Sequence, residues 1–88
     1  MSGRTGDGTS ARVLVLTRPG CHLCEQALAV VEQVCAETGT GYATQDITAD
    51  AELLRRYTDE VPVTFVDGVQ HDFWRVDPAR LRAALARA

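Results

Sequence analysis

The stretch that decides the fold of this chain is Thr17-Arg18-Pro19-Gly20-Cys21-His22-Leu23-Cys24. An apolar run precedes it, and a long helical pattern begins at or just after Cys21. The sequence therefore predicts a strand, a tight turn and a helix whose first turn carries two cysteines. Unpartnered N–H groups and the positive end of the helix dipole favour an anion at a helix start, and a thiolate is an anion. We interpret Cys21 as a nucleophile and Cys24 as the more buried thiol that resolves its mixed disulfide.

The Cys-X-X-Cys pair has two other interpretations. Structural zinc takes four ligands, and outside the pair the chain offers only Cys35, His22 and His71. The pair could instead form a structural disulfide or two inert buried thiols. A Cys-X-X-Cys motif near a βαβ pattern is the specific sequence context of redox chemistry, so we favour that interpretation and expect no metal site.

Length and composition restrict the class of protein. A chain of 88 residues that is 45% hydrophobic and 24% charged is typical of one small soluble domain. Twelve acidic residues against nine arginines leave a net charge of −3, so we expect no nucleic-acid partner. No apolar run is long enough to span a bilayer, and we expect neither a membrane partner nor a signal peptide. Small secreted domains more often carry an even number of cysteines, so the three cysteines of this chain favour a reducing, cytoplasmic location. We also expect a monomer.

Hydrophobic periodicity predicts the element order β-α-β-α-β-β-α. We expect a disordered tail over residues 1–10, because it is rich in Gly, Ser and Thr, and a single domain over residues 11–88. The predicted strands cover residues 12–17, 42–47, 60–66 and 69–76, and the predicted helices cover residues 21–38, residues 51–57 and the chain from Pro78 onward.

Turn and cap residues separate these elements. Gly39 is expected to end the first helix in a left-handed conformation. Asp50, with Thr48 as the alternative, should cap the second helix, and Asp77 should cap the third. Asp67 and Gly68 form a two-residue hairpin signal.

Four residues outside the motif carry weaker expectations. Cys35 should be a buried free thiol that behaves as a small hydrophobe. We expect at least one of Phe73 and Trp74 in the core, and the alternative is an apolar docking surface near the motif. His71 is expected on the surface of its strand.

Pro62 does not fit an ordinary strand, because proline cannot donate a ladder hydrogen bond. It could be a trans proline that starts the strand, or it could follow a cis peptide bond. A cis Val61–Pro62 bond would leave the N–H and C=O groups of Val61 available to pair with an extended substrate segment.

These motifs together resemble a known family. The stretch from Arg18 to Cys24 after a strand, with Val61-Pro62 before a hairpin, resembles the glutaredoxin-like branch of the thioredoxin superfamily, and in particular the short bacterial glutaredoxin family proteins. The resemblance implies an α/β thioredoxin-like fold, in which a four-stranded mixed sheet has helices on both faces. It also implies that Cys21 is the nucleophile, that Cys24 is the resolving thiol, that Pro62 is cis and that Val61 presents its backbone to the substrate.

Two further residues are candidates for substrate binding. Arg18 falls where glutaredoxins often carry a lysine that helps to hold the glutathione carboxylate or the thiolate. His22 lies between the two thiols and, if protonated, would favour the Cys21 thiolate. The alternative for each of them is a solvated side chain without a role.

The predicted function is that of a thiol–disulfide oxidoreductase without a tightly bound cofactor. Its substrate would be a disulfide-containing protein or the mixed disulfide of a low-molecular-weight thiol. Glutathione-dependent relatives usually carry Gly-Gly after the hairpin, and this chain has no such pair between His71 and Asp77. The co-substrate could therefore be glutathione, another low-molecular-weight thiol or a protein reductant. The alternative functions are a metal or iron–sulfur carrier, in which a dimer would supply four cysteines, and a redox-silent interaction domain.

Overall fold

The computed structural model describes residues 11–86, and the expected tail over residues 1–10 lies outside them. The predicted element order is confirmed, with one short 3-10 turn added after the second strand. The elements are β1 (Ala11–Thr17), α1 (His22–Thr38), β2 (Gly41–Asp46), the 3-10 turn (Ile47–Ala49), α2 (Ala51–Tyr57), β3 (Val63–Val66), β4 (Val69–Phe73) and α3 (Pro78–Ala86). Within this part of the chain, no helix is both long enough and apolar enough to cross a membrane.

The apolar strand β1 lies inside the sheet, whose strand order is β2-β1-β3-β4. It runs parallel to β2 and antiparallel to β3, and β4 pairs antiparallel with β3. Because β1 has neighbours on both edges and helices over both faces, its side chains are apolar without alternation. The predicted four-stranded mixed sheet is therefore confirmed.

The core consists of one apolar cluster on each face of the sheet. On the first face, α1 and α3 pack against the sheet through a cluster that includes Val13, Val15, Val31, Val34 and Leu81. On the second face, a smaller cluster contains Leu16, Cys24, Ile47, Val61 and Val63, with Leu53 and Tyr57 of α2 packed against it. Burial of these side chains stabilises the layers, and it also ties the start of α1 to the carboxyl end of β1 through Cys24 and Leu16.

The predicted caps are confirmed. Gly39 ends α1 with a φ of 69°, and its N–H group donates to the carbonyl of Cys35. The carboxylate of Asp50 accepts the N–H group of Glu52 at 2.9 Å at the start of α2, and Asp77 accepts that of Ala79 at the same distance at the start of α3. Each cap satisfies a backbone group that the helix itself leaves without a partner.

The boundaries of β2, β3 and β4 differ from the prediction, and β1 begins one residue earlier than predicted, at Ala11. The third strand begins at Val63 and not at residue 60, because Pro62 has no N–H group and the N–H group of Val61 donates to Tyr57. The fourth strand ends at Phe73 and not at residue 76, because Trp74 adopts a φ of 65° and turns the chain out of the sheet. The second strand is shifted one residue toward the N-terminus and leads into the 3-10 turn, which was not predicted.

Burial corrects two expectations for single side chains. Phe73 and Trp74 are 47% and 51% exposed, so the expectation that one of them belongs to the core is wrong. The side chain of His71 is only 12% exposed and lies 3.6 Å from Asp72, so it is not a surface residue. Cys35 is buried as a free thiol, as expected.

Candidate active site

The Cys-X-X-Cys motif lies where β1 passes into α1. The chain turns through Gly20, which adopts a φ of 73°, and Cys21 then occupies the N-cap position of α1 in an extended conformation. The sulfur of Cys21 accepts the backbone N–H group of Cys24 at 3.1 Å. The thiol of residue 21 therefore takes the place of the oxygen that caps most helices, where partial positive charge from the helix start surrounds it.

The two cysteines differ in exposure. Cys24 is 3% exposed, whereas Cys21 is half-buried at the edge of the second-face cluster. The predicted ranking of the pair is therefore found, although Cys21 is less exposed than expected. Both are free thiols in this structure.

Burial is the main reason for the high pKa of the Cys24 thiol, which is raised to about 11. The hydrogen bond with the Cys21 side chain and the negative charge of the Cys21 thiolate act in the same direction. The backbone N–H group and the positive charge of Arg18 lower the same pKa. The Cys24 thiol is therefore protonated at neutral pH, and its proton affinity depends on the state of Cys21.

Arg18 and His22 occupy exposed positions around the motif. The Arg18 guanidinium donates to the carbonyl of Thr58 at 3.2 Å and lies 3.4 Å from its hydroxyl group. It thus connects the turn before Cys21 to the segment after α2. His22 is the first residue of α1 and is exposed to solvent.

The Val61–Pro62 segment lies beside the motif, and its peptide bond is cis. Val61 is 6% exposed and belongs to the same apolar cluster as Cys24, with Cys21 packed against that cluster. The expectation that a cis bond leaves both backbone groups of Val61 available is wrong for the N–H group, which donates to the carbonyl of Tyr57 at 3.1 Å. No hydrogen bond between the described residues ends at the Val61 carbonyl.

Metal-ligating side chains do not converge in the described part of the chain. Across residues 11–86, no group of three or more His, Cys, Asp and Glu side chains is arranged to hold an ion. Cys35 lies in the cluster of the first face, whereas Cys24 lies in that of the second.

The sequence analysis missed the contacts of Trp74 with this site. Its backbone N–H group donates to the carbonyl of Pro62 at 2.7 Å, and its indole N–H group donates to the carbonyl of Asp59 at 3.0 Å. Trp74 and Leu23, from inside the motif, line the same hollow of about 140 Å³. No sequence signal indicates these contacts, because a bulky residue with a positive φ is rare and its partners are distant in the chain.

The fold and the site together define a class of protein. A four-stranded mixed sheet carries a Cys-X-X-Cys pair at the start of α1, and a cis proline lies beside it. This combination defines a glutaredoxin-like member of the thioredoxin superfamily, as the sequence resemblance implied. The family described as "Glutaredoxin-like domain (DUF836)" matches residues 12–86, and the chain belongs to this family.

A curated relative and a solved structure are more than 30% identical to the chain. The chain is 34% identical over 82 residues to "Uncharacterized protein Rv0508" of Mycobacterium tuberculosis, covering 88% of this chain and 84% of the relative. The X-ray structure of the protein XcR50 from X. campestris matches with a TM-score of 0.70 and 32% identity, covering 86% of this chain and 97% of that chain.

Two further structures show the same fold. The solution structure of the protein Ne2328 from Nitrosomonas europaea matches with a TM-score of 0.71 and 26% identity, covering 94% of this chain and 96% of that chain. A thioredoxin from Fasciola hepatica matches with a TM-score of 0.57 and 22% identity, covering 85% of this chain and 77% of that chain. The match to this thioredoxin shows the fold alone, and the predicted thioredoxin-like fold is confirmed.

Proposed function

We propose that this protein is a thiol–disulfide oxidoreductase in which Cys21 is the nucleophile and Cys24 is the resolving thiol. One observation carries the proposal: the half-buried Cys21 sulfur caps α1 and accepts the N–H group of Cys24 at 3.1 Å, while the Cys24 sulfur is buried behind it. A sulfur at a helix N-cap receives hydrogen bonds that stabilise the thiolate, which is the reactive form in disulfide exchange.

The reaction consists of two exchanges. The Cys21 thiolate attacks one sulfur of the substrate disulfide, the substrate S–S bond breaks, and the first substrate thiolate leaves and takes up a proton. Cys24 then loses its proton and attacks the Cys21 sulfur in the mixed disulfide, which releases the second substrate thiol. The substrate has gained two electrons and two protons. Both electrons come from the two sulfurs that form the Cys21–Cys24 disulfide, one proton comes from Cys24, and the other comes from the solvent that had taken up the proton of Cys21.

The pKa of Cys24 determines the order of the two exchanges. While Cys21 is a thiolate, its charge and hydrogen bond add to the effect of burial and keep the Cys24 pKa near 11. Formation of the mixed disulfide removes that charge, and only the burial contribution and the opposing effect of Arg18 remain. Cys24 is therefore held protonated until Cys21 has reacted, and it loses its proton more easily afterwards.

The neighbouring residues supply the remaining roles in the proposal. Arg18 and His22 lie around the motif, where they would contact the substrate or the leaving thiolate, and Val61 and Pro62 would lie against the substrate backbone. No cofactor is bound tightly. A low-molecular-weight thiol or a protein reductant regenerates the dithiol, and we favour one other than glutathione because no Gly-Gly pair occurs between His71 and Asp77.

The substrate in this proposal is a disulfide-containing protein or a low-molecular-weight mixed disulfide, and the protein acts as a monomer. We also propose that the protein acts in a reducing, cytoplasmic compartment, where both thiols return to the reduced state between turnovers.

Single-turnover assays test this proposal. The pre-reduced protein is mixed with oxidised insulin or hydroxyethyl disulfide, and thiol release is followed without any other reductant. Cys21→Ser should abolish release, and Cys24→Ser should stop at a mixed disulfide that mass spectrometry detects. Cys35→Ala is the matched control, because Cys35 lies in the other cluster, and it should retain the rate. Thiol release by Cys21→Ser at the unchanged rate would reject the proposal.

A second assay, which starts from the oxidised protein, identifies the reductant. Glutathione, other low-molecular-weight thiols and thioredoxin-like proteins are tested in turn for their ability to reduce the Cys21–Cys24 disulfide. A preference for any reductant over glutathione agrees with the proposal, whereas equal efficiency with glutathione contradicts the argument from the missing Gly-Gly pair.

A further inference from the structure

The second face of the sheet is covered only in part. Helices α1 and α3 pack on the first face, whereas α2 and the 3-10 turn pack on the second. Helix α2 has seven residues and is about 10 Å long, whereas β1 has seven extended residues and is about 23 Å long. Helix α2 therefore cannot cover the strand along its whole length, and the side chains of Leu14 and Phe65 stay partly exposed.

A hollow of about 410 Å³ lies beside α2 on this face, and we refer to it as the second-face hollow. Its floor crosses three strands, because Ala43 of β2 is opposite Leu14 of β1, and Leu14 is opposite Phe65 of β3. Residues that are opposite in register point to the same face of a sheet, so these three side chains form one apolar row. Neighbouring strands are about 4.8 Å apart, so the row is about 10 Å long and can support two fused aromatic rings.

An aromatic side chain of α2 stands at the edge of this floor. Tyr57 lines the hollow together with Leu53, and its ring meets the Phe65 ring edge-on, with centroids 6.3 Å apart and an angle of 88° between the planes. The ring of the wall is thus almost perpendicular to the ring of the floor. Edge-to-face and offset-stacked contacts are the favoured arrangements of aromatic rings, so a flat ring in this corner would contact Tyr57 and Phe65 favourably.

The lining of the second-face hollow carries no free charge. Among the described residues that form it, Arg12 alone is charged. Its guanidinium donates to the Asp67 carboxylate at 2.9 and 2.8 Å and to the Leu85 carbonyl at 3.1 Å, so its charge is already neutralised within the protein. The Gln45 carboxamide and the Tyr57 hydroxyl are the uncharged polar groups of the lining. An anion bound here would lose hydration without gaining an unpaired cation, so the lining suits a neutral molecule.

We propose that the second-face hollow is a binding site for a neutral, flat aromatic molecule that carries one uncharged polar group. The rings would lie on the row from Ala43 to Phe65, and the polar group would reach Gln45 or Tyr57. The volume lies within the range of about 300–1,000 Å³ that is typical of small-molecule sites. Neither Cys21 nor Cys24 lines the hollow, and the inference does not depend on the proposed function.

The test uses two fluorescent probes that share their rings and differ in charge. N-phenylnaphthylamine is neutral, and anilinonaphthalene sulfonate adds one sulfonate to the same ring system. Each probe is titrated into the full chain and into two variants. Ala43→Phe fills the hollow from its floor, and Ala36→Phe is the matched control, because it adds the same side chain at an exposed position of α1, which packs on the other face. Thermal unfolding shows whether each variant is folded.

N-phenylnaphthylamine should bind in a saturable manner, with one molecule per protein. Anilinonaphthalene sulfonate should bind about fivefold or more weakly, because its charge finds no free partner in the lining. Ala43→Phe should weaken binding of the neutral probe by about tenfold or more, because the added ring occupies the site, and Ala36→Phe should leave it unchanged. The neutral probe should shift the amide NMR signals of Leu14, Ala43 and Phe65 in the unchanged protein, which locates the site without any variant.

Four results would overturn the inference. Binding of the neutral probe that does not saturate would show that the protein has no such site, and unchanged affinity in a folded Ala43→Phe variant would show that the probe binds elsewhere. Equal or tighter binding of the sulfonate would reject a neutral ligand. If Ala43→Phe does not fold, NMR shifts confined to residues outside the second-face hollow decide against the site. Because no disulfide takes part in these measurements, the proposed function can fail while the site is found, and the reverse also holds.

Discussion

The backbone N–H group of Cys24 donates to the sulfur of Cys21 at 3.1 Å, although the Cys24 sulfur itself is buried among apolar side chains. The first turn of α1 thus places the Cys21 thiol next to a hydrogen-bond donor and partly in solvent, whereas it buries the Cys24 thiol away from solvent. This difference in environment between two residues three positions apart can be measured by their chemical reactivity.

Alkylation should distinguish the cysteines. At pH 7, a thiol whose pKa is about 11 is ionised to a fraction of only about 10⁻⁴, so Cys24 should react slowly, and burial raises the pKa of Cys35 as well. Iodoacetamide should therefore modify Cys21 first, and Cys24 should become reactive only as the pH rises toward 11 or when the protein unfolds. Peptide mass spectrometry after timed quenching measures this order. Modification of Cys24 before Cys21 at pH 7 would contradict it.

Removal of the Arg18 charge should slow the second exchange. Arg18 lowers the pKa of Cys24, so Arg18→Ala should raise that pKa further and reduce the fraction of Cys24 that can attack the mixed disulfide. Because the arginine is exposed, the effect should be modest, about twofold to fivefold on the rate of resolution. Quenched-flow analysis of the mixed disulfide measures it. Arg18→Lys keeps a positive charge and should retain most of the rate, and equal losses in both variants would point to the hydrogen bonds with Thr58 instead.

Shortening the side chain of Leu81 in α3 should lower the stability of the protein considerably. It is fully buried in the first-face cluster, where it packs with side chains of β1 and α1. Leu81→Ala should lower the free energy of unfolding by about 3 kcal/mol, because it removes buried methyl groups and leaves a cavity. Urea unfolding followed by circular dichroism gives this difference. Leu54→Ala is the matched control at a side chain that is 38% exposed, and its cost should stay below about 1 kcal/mol.

Replacement of Gly39 should destabilise the end of α1. Gly39 adopts a φ of 69°, and a Cβ atom added there would meet nothing within 4 Å. The cost of Gly39→Ala therefore comes from the backbone conformation alone, and we expect it to be about 1 kcal/mol. Gly39→Asn should cost less, because asparagine tolerates the left-handed region better than alanine does. Equal unfolding midpoints for Gly39→Ala and the unchanged protein would show that the chain can end this helix in another way.

Local patterns in the sequence were sufficient to predict much of this structure. The periodicity of the long helix, the N-cap residues Asp50 and Asp77, the glycine after Thr38 and the Asp67-Gly68 turn act over a few residues, and each was found where the sequence placed it. The position of Cys21 at the start of α1 belongs to the same class, because strand, turn and helix signals lie within one short stretch. Short-range signals of this kind depend on backbone sterics and hydrogen bonds that neighbouring residues make themselves.

The details around the motif depend on contacts between residues that are distant in the chain. The fourth strand ends early because Trp74 donates to Asp59 and Pro62. These two partners cannot be predicted from spacing, since the pairing of β3 with β4 brings them close to Trp74. The late start of the third strand is different, because the bond from Val61 to Tyr57 spans only four residues. The sequence by itself determined the element order, the place of the two cysteines and which of them is the more buried, whereas the tertiary structure decided how deeply each thiol is buried and which backbone groups around the motif are paired. Burial and long-range hydrogen bonding exist only once the layers have packed.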